Sequence, residues 1–368
     1  MKGDCWLVGL AAVAALATGC GGGGQAEGQA RQGEGPARKA EASSGQAALR
    51  ELRAEAKADQ AELGGEGDQP RRKATKQPPQ GSLGVMVTLE GLASPANLGF
   101  VGARELGFFE AAGINVWYGT PATPERPVKY VSEGTDSFGV AQLPQVAIAR
   151  DHGAPIVAVG SLISQPTTAM IWLQDSKIGK LADLKGKTIA IPGVPYQRRF
   201  LASLLARAGL ALKDVEVKTV GYNLVPALLS GRADAIFGGS WNLEGAELQA
   251  QGERPVITRM QSAGAPAYEE LVLIARRDMA AKYPQFMREF MASIARTTAV
   301  LLKHPKAAPW LMQISEETAP PLDPKVTKAE TEATLPILSK SGYMDPRKAS
   351  ELVAWMHAQG MLEHRLPV

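Results

Sequence analysis

The stretch Asn223-Leu224-Val225-Pro226-Ala227-Leu228-Leu229-Ser230-Gly231-Arg232-Ala233-Asp234-Ala235-Ile236-Phe237-Gly238-Gly239-Ser240-Trp241-Asn242-Leu243-Glu244 contains one full repeat of the fold's rhythm. Over 223–230 the apolar residues recur at helical spacing, and Gly231 stops the run. Ala235-Ile236-Phe237 is a short, wholly apolar strand of the kind buried on both faces. A glycine-rich loop follows, and 244–251 turns helical again. Outward from this stretch the same alternation recurs. Strands are predicted at 84–89, 114–118, 137–141, 154–163, 188–191 and 215–220, with helices at 99–112, 144–151 and 196–208 between them. Two further apolar runs, 256–258 and 271–275, precede a tail of long helices that begins at 284–303. Repeated strand–helix alternation predicts α/β architecture, with parallel sheets covered by helices on both faces. Residues 82–368 exceed what a single core holds, so two lobes are expected.

Composition narrows the function. The 368 residues are 45% hydrophobic and 21% charged, which suits a globular chain. Forty Lys and Arg against 37 Asp and Glu leave a net charge of +3, with no footprint for nucleic acid. The two cysteines, Cys5 and Cys20, cannot build a disulfide scaffold or a CxxC metal site, and the four histidines lack HExxH spacing. No metal and no cofactor is therefore expected. Two apparent motifs fail on spacing. Gly186-Lys187-Thr188 mimics a phosphate loop, but Leu181 stands where the first glycine is required, and 238–242 is not GxSxG.

The N-terminus reads as an address. Lys2 precedes an apolar run over 6–17 that is too short to span a bilayer but has the length of a signal-peptide core. It ends in Leu16-Ala17-Thr18-Gly19-Cys20, which resembles the bacterial lipobox, with Ala17 where leucine is usual. The expectation is a 1–20 lipoprotein signal, with Cys20 lipidated and the chain held on the extracytoplasmic face of the cell membrane. Residues 21–81 contain no aromatic residue and only Leu49, Leu52 and Leu63 among the larger aliphatics. Such a stretch is expected to be a disordered, solvated tether, with a transient helix over 46–62.

Five segments then carry a family resemblance. They are Glu105-Leu106-Gly107-Phe108-Phe109-Glu110-Ala111-Ala112-Gly113-Ile114-Asn115-Val116, Phe138-Gly139-Val140-Ala141, Leu181-Ala182-Asp183-Leu184-Lys185-Gly186-Lys187-Thr188-Ile189-Ala190, the 223–235 part of the opening stretch, and Trp241-Asn242-Leu243-Glu244-Gly245. In order and spacing they resemble the thiamine-pyrimidine-precursor-binding and sulfonate/nitrate-binding proteins of ABC importers, over essentially all of 82–310. The resemblance implies a periplasmic-binding-protein-like fold. Two doubly wound lobes, joined by hinge strands, close on a ligand cleft. Lobe one would be about 82–165 plus 268–368, lobe two about 170–262, with crossings near 165–171 and 268–272.

Ligands of open α/β sheets bind beyond the carboxyl ends of the strands. That rule nominates the loops holding Asn97, Gln142, Gly193, Tyr196, Tyr222, Asn223, Trp241, Asn242 and Glu244. Trp241 offers an indole face for stacking, Glu244 a carboxylate to accept from an exocyclic amine, and Asn242 both donor and acceptor. The bland alternatives are a Trp241 that plugs the lobe interface and a Glu244 that caps the next helix. Tyr196 is a candidate opposing ring. Trp117 and Tyr118 lie on opposite faces of a strand, with Trp117 assigned to the core.

The expected function is capture of a small planar heterocycle, a thiamine pyrimidine precursor first, for delivery to an ABC permease and ATPase by a monomeric, non-enzymatic subunit. Riboflavin and alkyl sulfonate or nitrate are the alternative ligands on the same scaffold, and a ligand sensor is an alternative role. An enzyme is the rival of another class. A fungal pyrimidine synthase shares the fold and uses a histidine with pyridoxal phosphate. Here the candidate histidine, His152, looks like a helix cap.

Overall fold

Apolar strands between amphipathic helices assemble into two five-stranded sheets in the computed structural model of the chain, which describes residues 36–63, 83–315 and 323–367. The expected signal peptide, with Cys20, lies outside the described residues. In chain order the strands are β1 (Leu83–Thr88), β2 (Ile114–Gly119), β3 (Phe138–Gln142), β4 (Ile156–Ile163), β5 (Thr168–Leu173), β6 (Thr188–Ile191), β7 (Glu216–Thr219), β8 (Ala235–Ser240), β9 (Pro255–Arg259) and β10 (Leu271–Arg276). The α-helices are α1 (Pro36–Leu63), α2 (Leu98–Glu105), α3 (Phe108–Ala111), α4 (Arg126–Glu133), α5 (Leu143–Asp151), α6 (Pro195–Ala206), α7 (Leu224–Leu229), α8 (Glu244–Ala250), α9 (Arg277–Lys282), α10 (Pro284–Lys303), α11 (Ala308–Ile314), α12 (Pro324–Thr334) and α13 (Pro346–Ala358).

Sheet one runs β2-β1-β3-β10-β4 and sheet two β7-β6-β8-β5-β9. The sheets are mixed rather than parallel. β10 lies antiparallel to β3 and β4, and β5 antiparallel to β8 and β9. The antiparallel strands are the two that enter a sheet directly from the other lobe: β5 follows β4 of sheet one after only 164–167, and β10 follows β9 of sheet two. The chain therefore crosses once between lobes at 164–167 and returns just before β10.

Lobe one's core is aromatic. Phe290 of α10 stacks on Phe109 and Phe138 with centroids 4.6 and 4.5 Å apart, and Phe100 of α2 sits 5.7 Å from Phe109. β2 inverts the expected face assignment. Tyr118 is buried with Ile114 and Val116, while Trp117 is 39% exposed. Tyr118 falls in step with the two aliphatics at period two, and Trp117 instead lies over Gly84 of β1.

The expected tether is corrected over 36–63. α1 buries Leu49, Leu52 and Ala56 in the lobe-one core. Glu55 bonds Lys303 at 2.7 Å and also His304, and Gln60 donates to the Leu106 carbonyl at 2.8 Å. Few apolar residues suffice here because these three share one helix face at i, i+3 and i+7, where each buried Leu contributes about 1.5–3 kcal/mol.

The tail is also not lobe one's alone. α13 packs between α5 and α6. Its Trp355 meets Phe200 edge-on at 5.2 Å, and Leu352 and Met356 join a core cluster that takes residues from both sheets. No helix among the described residues is long and apolar enough to cross a membrane.

Candidate functional site

Loops that follow β1, β7 and β8 meet at the lobe junction, where Tyr222 reaches Glu90 and Gly91 and Trp241 packs against both cores. β8 runs into Ser240-Trp241-Asn242, and α8 begins at Glu244. The Glu244 carboxylate folds back and accepts from the Ser240 amide at 2.6 Å. Burial raises its pKa against that bond. Asn242 is buried. Its Nδ2 donates to Thr334 Oγ1 of α12 at 2.8 Å, and its Oδ1 receives no hydrogen bond. α12 thus spans the junction, touching α8 on one side and the 3-10 turn Pro95–Asn97 on the other.

Along that seam stand two further carboxylates that the sequence did not nominate. Glu247 follows Glu244 by one turn, and Glu330 projects from α12. Burial and the neighbouring carboxylates push Glu247 up to about 7 and Glu330 up to about 8. Thr331 Oγ1, fully buried beside Glu330 on α12, has no partner either. Nothing in the local sequence flags Glu330, which meets Glu244 only through the fold.

Trp241 is half-buried and packs against the cores of both lobes. Its Nε1 donates to the Pro166 carbonyl at 3.2 Å, and the Arg259 guanidinium lies 4.0 Å from the ring centroid. One indole face is therefore already occupied by a cation–π contact.

The lobe-one lip is built around Glu90. Asn97 is buried and spends its amide locally. Its Nδ2 donates to Glu90 Oε2 at 3.0 Å, and its Oδ1 accepts from the Ser94 amide at 3.2 Å. Desolvation raises the Glu90 pKa. Tyr222 reaches over from lobe two. Its hydroxyl donates at 3.5 Å to the carbonyls of Glu90 and Pro121, and its ring lies over Gly91, where an added Cβ would come within 3.2 Å. Gln142, half-buried at the end of β3, keeps a buried Oε1 with no donor.

Three nominated residues are not brought to the cleft. Tyr196 is fully buried, edge-on to Phe200 at 4.8 Å, with its phenol against Thr168 and Glu270; it cannot be an opposing ring. Position N2 of α6 points it inward, because the helix packs that face on sheet two. Gly193 has φ 103°, and a Cβ there would lie 2.7 Å from Thr219 Cγ2, so packing against β7 accounts for the glycine. Asn223 is exposed and bonds only its own loop, at the Val220 carbonyl.

The two crossings meet at one buried carboxylate, also missed from sequence. Glu270 accepts from the amides of Thr167 and Thr168 at 2.7 and 3.2 Å, from Thr168 Oγ1 at 3.2 Å and from the Tyr268 hydroxyl at 3.2 Å.

Two lobes, two crossings and a junction lined by convergent polar groups define a two-lobe ligand-binding protein. Solved structures agree on the fold. The alkanesulfonate-binding protein SsuA from Xanthomonas axonopodis pv. citri, bound to MOPS, superposes with a TM-score of 0.62 at 18% identity, covering 77% of this chain and 95% of that one. This is the periplasmic-binding-protein fold. The sequence profile of the NMT1/THI5-like family matches residues 94–308, and the chain belongs to that family. It is 29% identical to a Haemophilus influenzae protein named for thiamine biosynthesis, over 77% of this chain and 89% of that protein. It is 26% identical to the formylaminopyrimidine-binding protein of Halalkalibacterium halodurans, over 71% and 81% respectively.

The comparisons correct one expectation. Several relatives at 24–26% identity, including one of Schizosaccharomyces pombe, are named 4-amino-5-hydroxymethyl-2-methylpyrimidine phosphate synthase. The family includes enzymes, so the exclusion of catalysis drawn from the sequence does not stand. His152 itself is exposed at the C-terminal end of α5, the end away from the cleft. It does not fit a site for pyridoxal phosphate at the strand ends, and no step through that group follows.

Proposed function

We propose that this chain is the solute-binding subunit of an ABC importer, held at the extracytoplasmic membrane face by a lipid on Cys20. Its ligand is a small planar heterocycle with an exocyclic amine, a thiamine pyrimidine precursor. The observation that carries the reading is the acceptor-rich seam. Glu244, Glu247 and Glu330 are each raised in pKa, and none forms an ion pair among the described residues. Asn242 Oδ1 and Gln142 Oε1 are buried and receive no hydrogen bond. Buried acceptors without donors are costly, and a ligand that brings N–H groups relieves that cost. An anionic sulfonate or nitrate would raise those pKa values further, whereas an N–H donor lowers them. The name of the Halalkalibacterium halodurans relative, a formylaminopyrimidine-binding protein, supports the same ligand class.

Isothermal titration with 4-amino-5-hydroxymethyl-2-methylpyrimidine, riboflavin, MOPS and nitrate tests the ligand. Heat with the aminopyrimidine alone is expected. Heat with MOPS or nitrate and none with the aminopyrimidine overturns the assignment. For the anchor, Cys20→Ser is expected to release the protein from the membrane fraction. For transport, deletion of the gene is expected to abolish uptake of the labelled pyrimidine at low external concentration.

A further inference from the structure

We propose that Glu270 is a positioning residue for the ligand, holding the cleft loop 240–244 in register with both crossings between the lobes. Its side chain is almost fully enclosed and accepts four hydrogen bonds. Three of the donors belong to Thr167 and Thr168, on the outward crossing, and the fourth is Tyr268, on the return crossing. Its own carbonyl accepts from the Leu143 amide at 2.9 Å, which ties the same residue to the end of β3 beside Gln142. Thr167 then passes the constraint on. Its carbonyl accepts from the Trp241 amide at 3.0 Å, and its hydroxyl pairs with Ser240 Oγ at 3.1 Å. Ser240 in turn donates its amide to Glu244. One continuous chain of bonds therefore runs from the buried carboxylate at the crossings to the carboxylate offered to the ligand.

A carboxylate suits this position because every neighbour donates. Three of the four bonds fall on one oxygen, Oε2, so Gln could keep them with its carbonyl; Met has nearly the same length and no oxygen, and it leaves both amides and the Tyr268 hydroxyl without an acceptor while opening little space. That the loop 240–244 grips ligand rests on the function proposed above; that Glu270 fixes the loop does not.

The test uses full-length protein and Glu270→Met. Hydrogen exchange without ligand is expected to accelerate by about tenfold at Thr167 and Thr168, and also at Trp241, which Glu270 does not touch, with Ile189 and Ala190 of β6 unchanged. Titration with 4-amino-5-hydroxymethyl-2-methylpyrimidine is expected to show roughly tenfold weaker binding. That loss should largely vanish in a Glu244→Gln background, since both changes act through the same contact. Unchanged exchange at Trp241, or losses that simply add, would overturn the proposal. Should Glu270→Met fail to fold, Thr168→Val removes one donor and is expected to give the same pattern at smaller amplitude; no change at Trp241 there overturns it equally. Wild-type protein that ignores the pyrimidine refutes the proposed ligand, while the exchange data still decide the role of Glu270.

Discussion

Two helix contacts in this molecule treat their glutamates in opposite ways. Where α1 meets lobe one, Glu55 bonds Lys303 and His304, its pKa is lowered, and Leu49, Leu52 and Ala56 fill the contact. Where α12 meets α8, Glu244, Glu247 and Glu330 lie near one another without an ion pair among the described residues, and all three pKa values are raised. The first contact is complete in itself. On the proposed function, the second is completed by a ligand that brings further donors. A permanent joint compensates its charges within the chain; the proposed binding seam would leave that to the ligand.

The largest expected effect tests the permanence of the first contact. Leu52→Ala should cost about 2–5 kcal/mol of unfolding free energy in a denaturant titration. A loss below about 0.5 kcal/mol would mean that α1 is a spectator and the comparison fails. Next comes the second contact as a ligand seam. Glu244→Gln should weaken the aminopyrimidine by roughly ten- to a hundredfold by calorimetry, the scale of a hydrogen bond to a charged group. An unchanged Kd would leave Glu244 a helix cap only.

A smaller effect sharpens the electrostatic contrast. Glu247 and Glu330 hold protons more tightly in the folded protein, so their contribution is complete below about pH 4.5 and is lost as the pH rises through about 7 and 8. Glu330→Gln should therefore raise the urea midpoint at pH 8.5 relative to wild type and leave it little changed at pH 5. The opposite ordering would show that the seam is already compensated. The smallest effect belongs to Glu55. Glu55→Ala should cost less than about 1 kcal/mol, and less still at high salt, because its partners are partly exposed.

The sequence made the two-lobe α/β fold readable because strand and helix periods alternate cleanly from 84 to 275 and each loop falls where a strand ends. The same rule placed Glu90 to Asn97, Gln142 and 240–244 at the junction. It could not orient side chains. Tyr196 sits one residue from an acceptable loop position yet turns into the α6 core, and Trp241 has one face taken by Arg259, some 18 positions along the chain. Glu330 and Glu270 were invisible for a related reason. Each acquires its role from a contact with residues far away in sequence. The misreading of 36–63 was different in kind. Composition counted too few apolar residues for a core, while the i, i+3, i+7 placement of Leu49, Leu52 and Ala56 had already marked one face.

The most direct test is a crystal structure of the protein with 4-amino-5-hydroxymethyl-2-methylpyrimidine. The ring should lie between the lobes, with its exocyclic amine within about 3.2 Å of the Glu244 or Glu330 carboxylate. A ligand bound elsewhere, or one that meets the seam through an acceptor while those carboxylates stay unpaired, would contradict the account.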